Sequence, residues 1–152
     1  MDITKIVVHI IGETVKKKIK HKNSSNYIPI NFTNEMAALL QNCDLVISRS
    51  GAGTINELMV MKKPSILIPY PGSKNNHQEK NALILSSLGG AILINQHVKS
   101  NSVLADTLKR IFRSSVNNKY EMLDLMTKNM NRINLNNSKY EIAKIINQFS
   151  RN

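Results

Sequence analysis

Short apolar runs alternate with amphipathic stretches along most of this chain. Ile6 to Ile11 is continuous apart from His9 and carries β-branched Val7 and Val8, the pattern of a buried parallel strand. Gly12 ends it, and a basic helix or loop runs to about Lys22. Asn23-Ser24-Ser25-Asn26 reads as a turn, and Tyr27 to Phe32 as a second strand. Thr33 or Asn34 caps a helix with Met36, Leu39 and Leu40 on its inner face. Asp44 to Ser48 is a third strand, Gly53 to Lys62 a helix, and Ser65 to Tyr70 a fourth strand. A helix from about His77 to Leu88 stops at Gly89-Gly90, and Ala91 to Asn95 is a fifth strand. Beyond it the pattern becomes helical. Ser102 to Phe112 sets Val103, Leu104, Leu108, Ile111 and Phe112 on one side, and Lys119 to Arg132 and Lys139 to Phe149 follow. Strands joined by helices of this length form βαβ units with a parallel sheet. The expected fold is α/β: a Rossmann-like parallel sheet with flanking helices and a helical C-terminal tail, one domain over residues 1–152.

In such a sheet, ligands bind where strands end and helices begin. Residues 47–82 supply that chemistry. The third strand ends in Ser48-Arg49-Ser50, and the elbow Gly51-Ala52-Gly53-Thr54 opens the next helix. Small residues let the backbone approach a ligand, and the helix N-terminus favours an anion such as phosphate. Glu57 lies one turn beyond Gly53 or Thr54. A carboxylate there repels phosphate and suits paired hydroxyls, as on a ribose. The plainer reading makes Glu57 the closing residue of a capping box. The fourth strand leads through a polar loop to His77-Gln78-Glu79-Lys80-Asn81-Ala82 at the start of another helix, on the same edge. The first turn of a solvated helix also carries such residues.

The 152 residues include 21 basic and 10 acidic side chains, a net charge of +11 that suggests an anionic partner. Lys16-Lys17-Lys18, with Lys20 and Lys22, is the densest run. No aromatics interleave with it, so the stacking surfaces of nucleic-acid binders are missing; an anionic membrane surface or a sugar nucleotide fits better. No apolar run approaches the roughly 20 residues that span a bilayer, and no signal-peptide cleavage pattern follows the first strand, so a cytoplasmic location is expected. The single cysteine, Cys43, allows no internal disulfide and reads as a small buried apolar residue.

RSGAGTINEL, a strand ending in Pro69-Tyr70-Pro71, and HQEKNA together resemble the C-terminal domain of glycosyltransferase family 28. Upstream, VVHIIGE and INFTNEMAALLQNCDLVISRSG extend the likeness; downstream it continues through Gly89-Gly90-Ala91 to the closing helices. The resemblance implies the donor-binding half of a GT-B enzyme that transfers N-acetylglucosamine (GlcNAc) from UDP-GlcNAc to the lipid-linked acceptor lipid I, making lipid II for peptidoglycan. It places the backbone around Thr33 at the uracil. Ala52, Gly53 and Thr54 line the nucleotide, with Thr54 near the diphosphate, and Glu57 holds the ribose hydroxyls. His77 and Gln78 face the donor sugar, and Asn81 fixes the loop. Gly53 replaces a bulkier residue common in the family, which widens the elbow.

The family's C-terminal half begins with a strand, a Gly-Gly-Ser loop and a helix, and this sequence starts after that unit. The acceptor domain, which carries the proposed catalytic base, has no counterpart in it either. His9 reads as buried in a strand, His21 lies in the basic stretch and His97 follows the last strand, so the catalytic residue is unknown. No Asp-x-Asp motif is present, so neither a metal nor another cofactor is expected. Three readings compete. The chain is a donor-binding half that works on the cytoplasmic face of the inner membrane with an N-terminal domain or partner subunit, as in two-component lipid-linked GlcNAc transferases; or a noncatalytic nucleotide-sugar-binding module; or a relative using another UDP or dTDP sugar. An open sheet edge would also favour a homo-oligomer.

Overall fold

The structure, a computed structural model, describes residues 5–12, 25–96, 100–113 and 120–133. The basic run Lys16–Lys22 and the helix expected over residues 139–149 lie outside the described residues. Contacts divide the chain into a unit of residues 1–39 and a unit of residues 40–152.

The first unit holds β1 (Val7–Ile10) and β2 (Tyr27–Ile30), paired in parallel with Val7 opposite Tyr27 and Ile10 opposite Ile30. The backbone ladder continues past the strands, with Ile11 N–H on Ile30 O at 2.9 Å and Gly12 N–H on Asn31 O at 3.0 Å. The expectation of a buried strand is overturned. Val7 and Val8 are 52% and 43% exposed, and Phe32 is 70% exposed. His9 is exposed too, with Nδ1 2.6 Å from the Tyr27 hydroxyl. A continuous apolar run specifies the pairing of a strand. Burial needs a further layer over the strand's face, which the run itself does not specify.

The second unit carries a parallel sheet in the order β3-β4-β5, from Val46–Ser48, Ser65–Leu67 and Ala91–Leu93. Helix α1 (Met36–Asn42) precedes β3, and its terminal carbonyls find a cation: Lys63 Nζ donates to Gln41 O at 2.9 Å and Cys43 O at 3.0 Å. Helices α2 (Ala52–Val60) and α3 (His77–Ser87) are the crossovers. The strands are shorter than the apolar runs suggest. β4 stops at Leu67, two residues before Pro69, which has no N–H to offer a ladder. At the end of α3, Gly89 takes φ +70°, Gly90 N–H reaches Leu85 O at 3.0 Å and Gly89 N–H reaches Ser86 O at 2.9 Å. This Schellman closure turns the chain directly into β5.

Two further helices close the unit, α4 (Ser100–Ile111) and α5 (Glu121–Arg132). In α5, Leu123, Met126 and Met130 recur at helical spacing and are buried. Leu123 and Met126 join Ile66, Ile94 and Ile111 in one core cluster, with Leu104, Leu108 and Phe112 packed against it. Val103, expected on the apolar side of α4, is 38% exposed. The central strand β4 is buried at every position beneath the carboxyl edge.

Candidate functional site

The carboxyl edge of the second sheet gathers the elbow after β3, the loop after β4 and the start of α3. Gly51 is the N-cap of α2 in extended conformation (φ −62°, ψ 153°), and no side chain caps the helix. The first-turn N–H groups of α2 are therefore not taken by a protein cap, which suits them to an anion. Helix α2 begins at Ala52, so Glu57 sits beyond its first turn, out of the position that closes a capping box. Glu57 is exposed, and its carboxylate has no hydrogen-bond or ion-pair partner among the described residues. Gly53 and Glu57 stand four residues apart, on one face of α2. A Cβ built on Gly53 would meet nothing within 4 Å.

Ser50 joins the elbow to α3. It is fully buried, and its Oγ donates to Gln78 O at 2.7 Å. Its own carbonyl accepts from Asn81 Nδ2 at 3.1 Å. Gln78 is also held by its side chain: Oε1 accepts the Tyr70 N–H at 2.9 Å. That bond fixes the amide's orientation and turns its NH₂ donors away from Tyr70. His77 is the first residue of α3 and is exposed. Before it, Asn75 and Asn76 both take left-handed backbone (φ 50° and 54°), a conformation asparagine tolerates better than most residues.

The structure thus brings Ala52, Gly53, Thr54, Glu57, His77, Gln78 and Asn81 to one edge of the second unit. Thr33 lies in the first unit, half-buried, where its Oγ1 accepts the Glu35 N–H at 2.9 Å just before α1. His21 and His97 lie outside the described residues. A small cleft of about 90 Å³ opens beside the edge, lined by residues including Tyr70, Asn76, Glu79 and Gln96. None of the residues expected to bind the nucleotide lines it, so the elbow stands as an open wall. Among the described residues no three His, Cys, Asp or Glu side chains converge as a metal ion would require. No described helix is long and apolar enough to cross a membrane.

Sequence reasoning passed over Ser50, Arg49 and Tyr70. Ser50 had one legible sign: a hydroxyl ending an apolar strand, at a place where burial demands a partner. Arg49 and Tyr70 gave none, because the partners of Arg49 lie beyond β4 and β5 and that of Tyr70 lies on α3.

The profile of the glycosyltransferase family 28 C-terminal domain matches residues 2–145. The chain belongs to this family. Curated relatives share the sequence closely. A protein of Prochlorococcus marinus strain MIT 9312, named "UDP-N-acetylglucosamine–N-acetylmuramyl-(pentapeptide) pyrophosphoryl-undecaprenol N-acetylglucosamine transferase", is 62% identical over 146 residues, covering 94% of this chain and 40% of its own length. A protein of the same name from strain NATL2A is 41% identical over 152 residues, with 95% and 40% covered. This family 28 chain therefore spans about two fifths of the length of those relatives. Among solved structures, MurG of Acinetobacter baumannii superposes with a TM-score of 0.72 at 19% identity, over 97% of this chain and 42% of that one. The glycosyltransferase VinC, solved with dTDP, gives 0.63 at 18% identity, over 97% and 35%. At those identities the likeness concerns the fold, which is that of the C-terminal half of GT-B glycosyltransferases.

Proposed function

We propose that this family 28 domain binds UDP-GlcNAc as the donor of an inverting transferase, which passes GlcNAc to a lipid-linked acceptor as in the conversion of lipid I to lipid II. One observation carries the reading: Ser50, Asn81 and Gln78 lock the elbow of α2 to the start of α3, so that an uncapped helix N-terminus, an unpartnered carboxylate and an oriented amide share one edge. Each fits a part of the donor. The N–H groups of Ala52, Gly53 and Thr54 meet the diphosphate and stabilise the charge that grows on it as the glycosidic bond breaks. Glu57 accepts hydrogen bonds from the ribose hydroxyls. His77 and Gln78 face the sugar. The names of the curated relatives support the same donor and acceptor.

The acceptor, the general base and the membrane contact belong in this reading to an N-terminal domain or partner subunit. Ser50 and Gln78 are committed to each other, and Glu57 is used by the ribose, so none of them abstracts the acceptor's proton. The chain alone binds donor without turning it over. Calorimetry with UDP-GlcNAc, UDP and GDP-mannose, paired with a turnover assay on UDP-GlcNAc and lipid I, tests both halves. Uridine-selective binding with no turnover is expected. Equal affinity for GDP-mannose would sink the donor assignment, and turnover by the purified chain would sink the division of labour.

A further inference from the structure

Arg49 leaves β3 at the carboxyl edge with an exposed side chain, the situation in which a charged residue usually contributes little. Its Nη1 nevertheless donates to three acceptors: Ile68 O at 3.0 Å, Pro69 O at 3.1 Å and Gln96 Oε1 at 2.6 Å. Two protons serve three acceptors, so at least one is shared. The guanidinium carbon also lies 5.7 Å from the centroid of the Tyr70 ring, within cation–π range.

The acceptors explain why an arginine stands there. β4 ends at Leu67, whose carbonyl takes the Ile94 N–H at 2.9 Å as the last backbone bond toward the β5 side. The carbonyls of Ile68 and Pro69 come after it and need another donor. Gln96 lies just beyond β5. One nitrogen therefore ties together the segments leaving all three strands. The chain of bonds then closes on itself. The Tyr70 N–H, next after Pro69, holds Gln78 Oε1, and Gln78 O holds the hydroxyl of Ser50, the residue after Arg49.

We infer that Arg49 is a positioning residue for the donor site: it fixes the segment after β4, and through the Tyr70 N–H it fixes the Gln78 amide that meets the sugar. The clasp itself is independent of any ligand; its effect on the donor rests on the UDP-GlcNAc reading above.

Amide hydrogen exchange by NMR on the ligand-free chain tests the clasp. In Arg49→Met, which keeps an unbranched apolar stem and loses the donors, the Tyr70 N–H should exchange at least tenfold faster. The Ile66 and Leu67 amides in the β4 ladder should stay within twofold. Unchanged Tyr70 exchange in a folded variant overturns the inference. If Arg49→Met loses its far-UV dichroism, Gln96→Leu, which removes one acceptor and keeps the arginine, carries the same test with an expected threefold change, and no change overturns it. Affinity for UDP-GlcNAc then separates positioning from mere support. Arg49→Met should weaken binding at least fivefold in the wild-type background and less than twofold when Gln78 is already Ala. Equal losses in both backgrounds overturn the route through Gln78. A wild-type chain that binds no UDP-GlcNAc overturns the donor reading and the affinity effect together, while Tyr70 exchange still decides the clasp.

Discussion

The hydroxyl of Ser50 donates to the main-chain carbonyl of Gln78 across 2.7 Å, joining two segments 28 residues apart in the chain. Asn81 returns the bond one turn later by donating to Ser50 O. Two hydrogen bonds thereby tie the glycine elbow to the HQEKNA segment, and in the proposed site they set the spacing between the uncapped end of α2 and the Gln78 amide.

Ser50→Ala should reveal the strength of that link. The side chain is fully buried, so the substitution leaves the Gln78 carbonyl short of a partner in a place water reaches poorly. A loss of about 1–3 kcal/mol in unfolding free energy is expected, measured by urea denaturation with an unchanged m-value.

Glu57→Gln separates stability from binding. The carboxylate is exposed and unpartnered among the described residues, so the unfolding midpoint should move by no more than about 0.5 kcal/mol equivalent. Affinity for UDP-GlcNAc should fall about tenfold or more, because hydrogen bonds to a charged acceptor are the stronger kind. Titration with a 2′-deoxyuridine analogue checks the cause: the variant and wild type should differ less on it.

Gly53→Ala should run the other way. A Cβ at this helical position meets nothing within 4 Å, and alanine stabilises a helix by roughly 0.5–1 kcal/mol over glycine. A higher thermal midpoint is expected, with donor affinity within threefold of wild type, since the proposed site uses only the backbone at this position.

Cys43 gives a pH prediction. Burial pushes its thiol above the ordinary value of 9.0, and the Lys63 ammonium offsets part of the rise. The folded chain resists an ionisation that the unfolded chain undergoes, so this group's contribution to stability is present below pH 9.0 and lost above it. Alkylation by iodoacetamide should be slower than for a free thiol at pH 8 and should still be climbing beyond pH 9.0. A plateau at or below that pH would contradict the raised value.

Local signals were legible wherever a short segment determines its own geometry. Gly89-Gly90 announces the Schellman turn because few other residues accept φ +70°. The elbow announces itself through small residues at a strand end. The spacing of Leu123, Met126 and Met130 announces the buried face of α5. Properties set by distant partners were not legible. Val7 and Val8 look like core residues, yet exposure depends on whether a layer covers them, and the run itself carries no such information. Arg49 reaches Gln96 across 47 residues, and nothing at either position marks the other. The seven candidate residues of the second unit were named from motifs and the family resemblance, whereas the bonds by which Ser50, Arg49 and Tyr70 hold them emerged only from the fold.

In the proposed function the elbow, Glu57 and Gln78 form one wall of a UDP-GlcNAc site. Titrating ¹⁵N-labelled chain with UDP-GlcNAc and following the backbone amides tests it most directly. Saturable shifts are expected to concentrate at Ala52, Gly53, Thr54, Glu57 and Gln78, with the Gln78 side-chain NH₂ moving along with them. Saturable shifts that leave those amides still and cluster elsewhere, or no shifts at millimolar ligand, would contradict it.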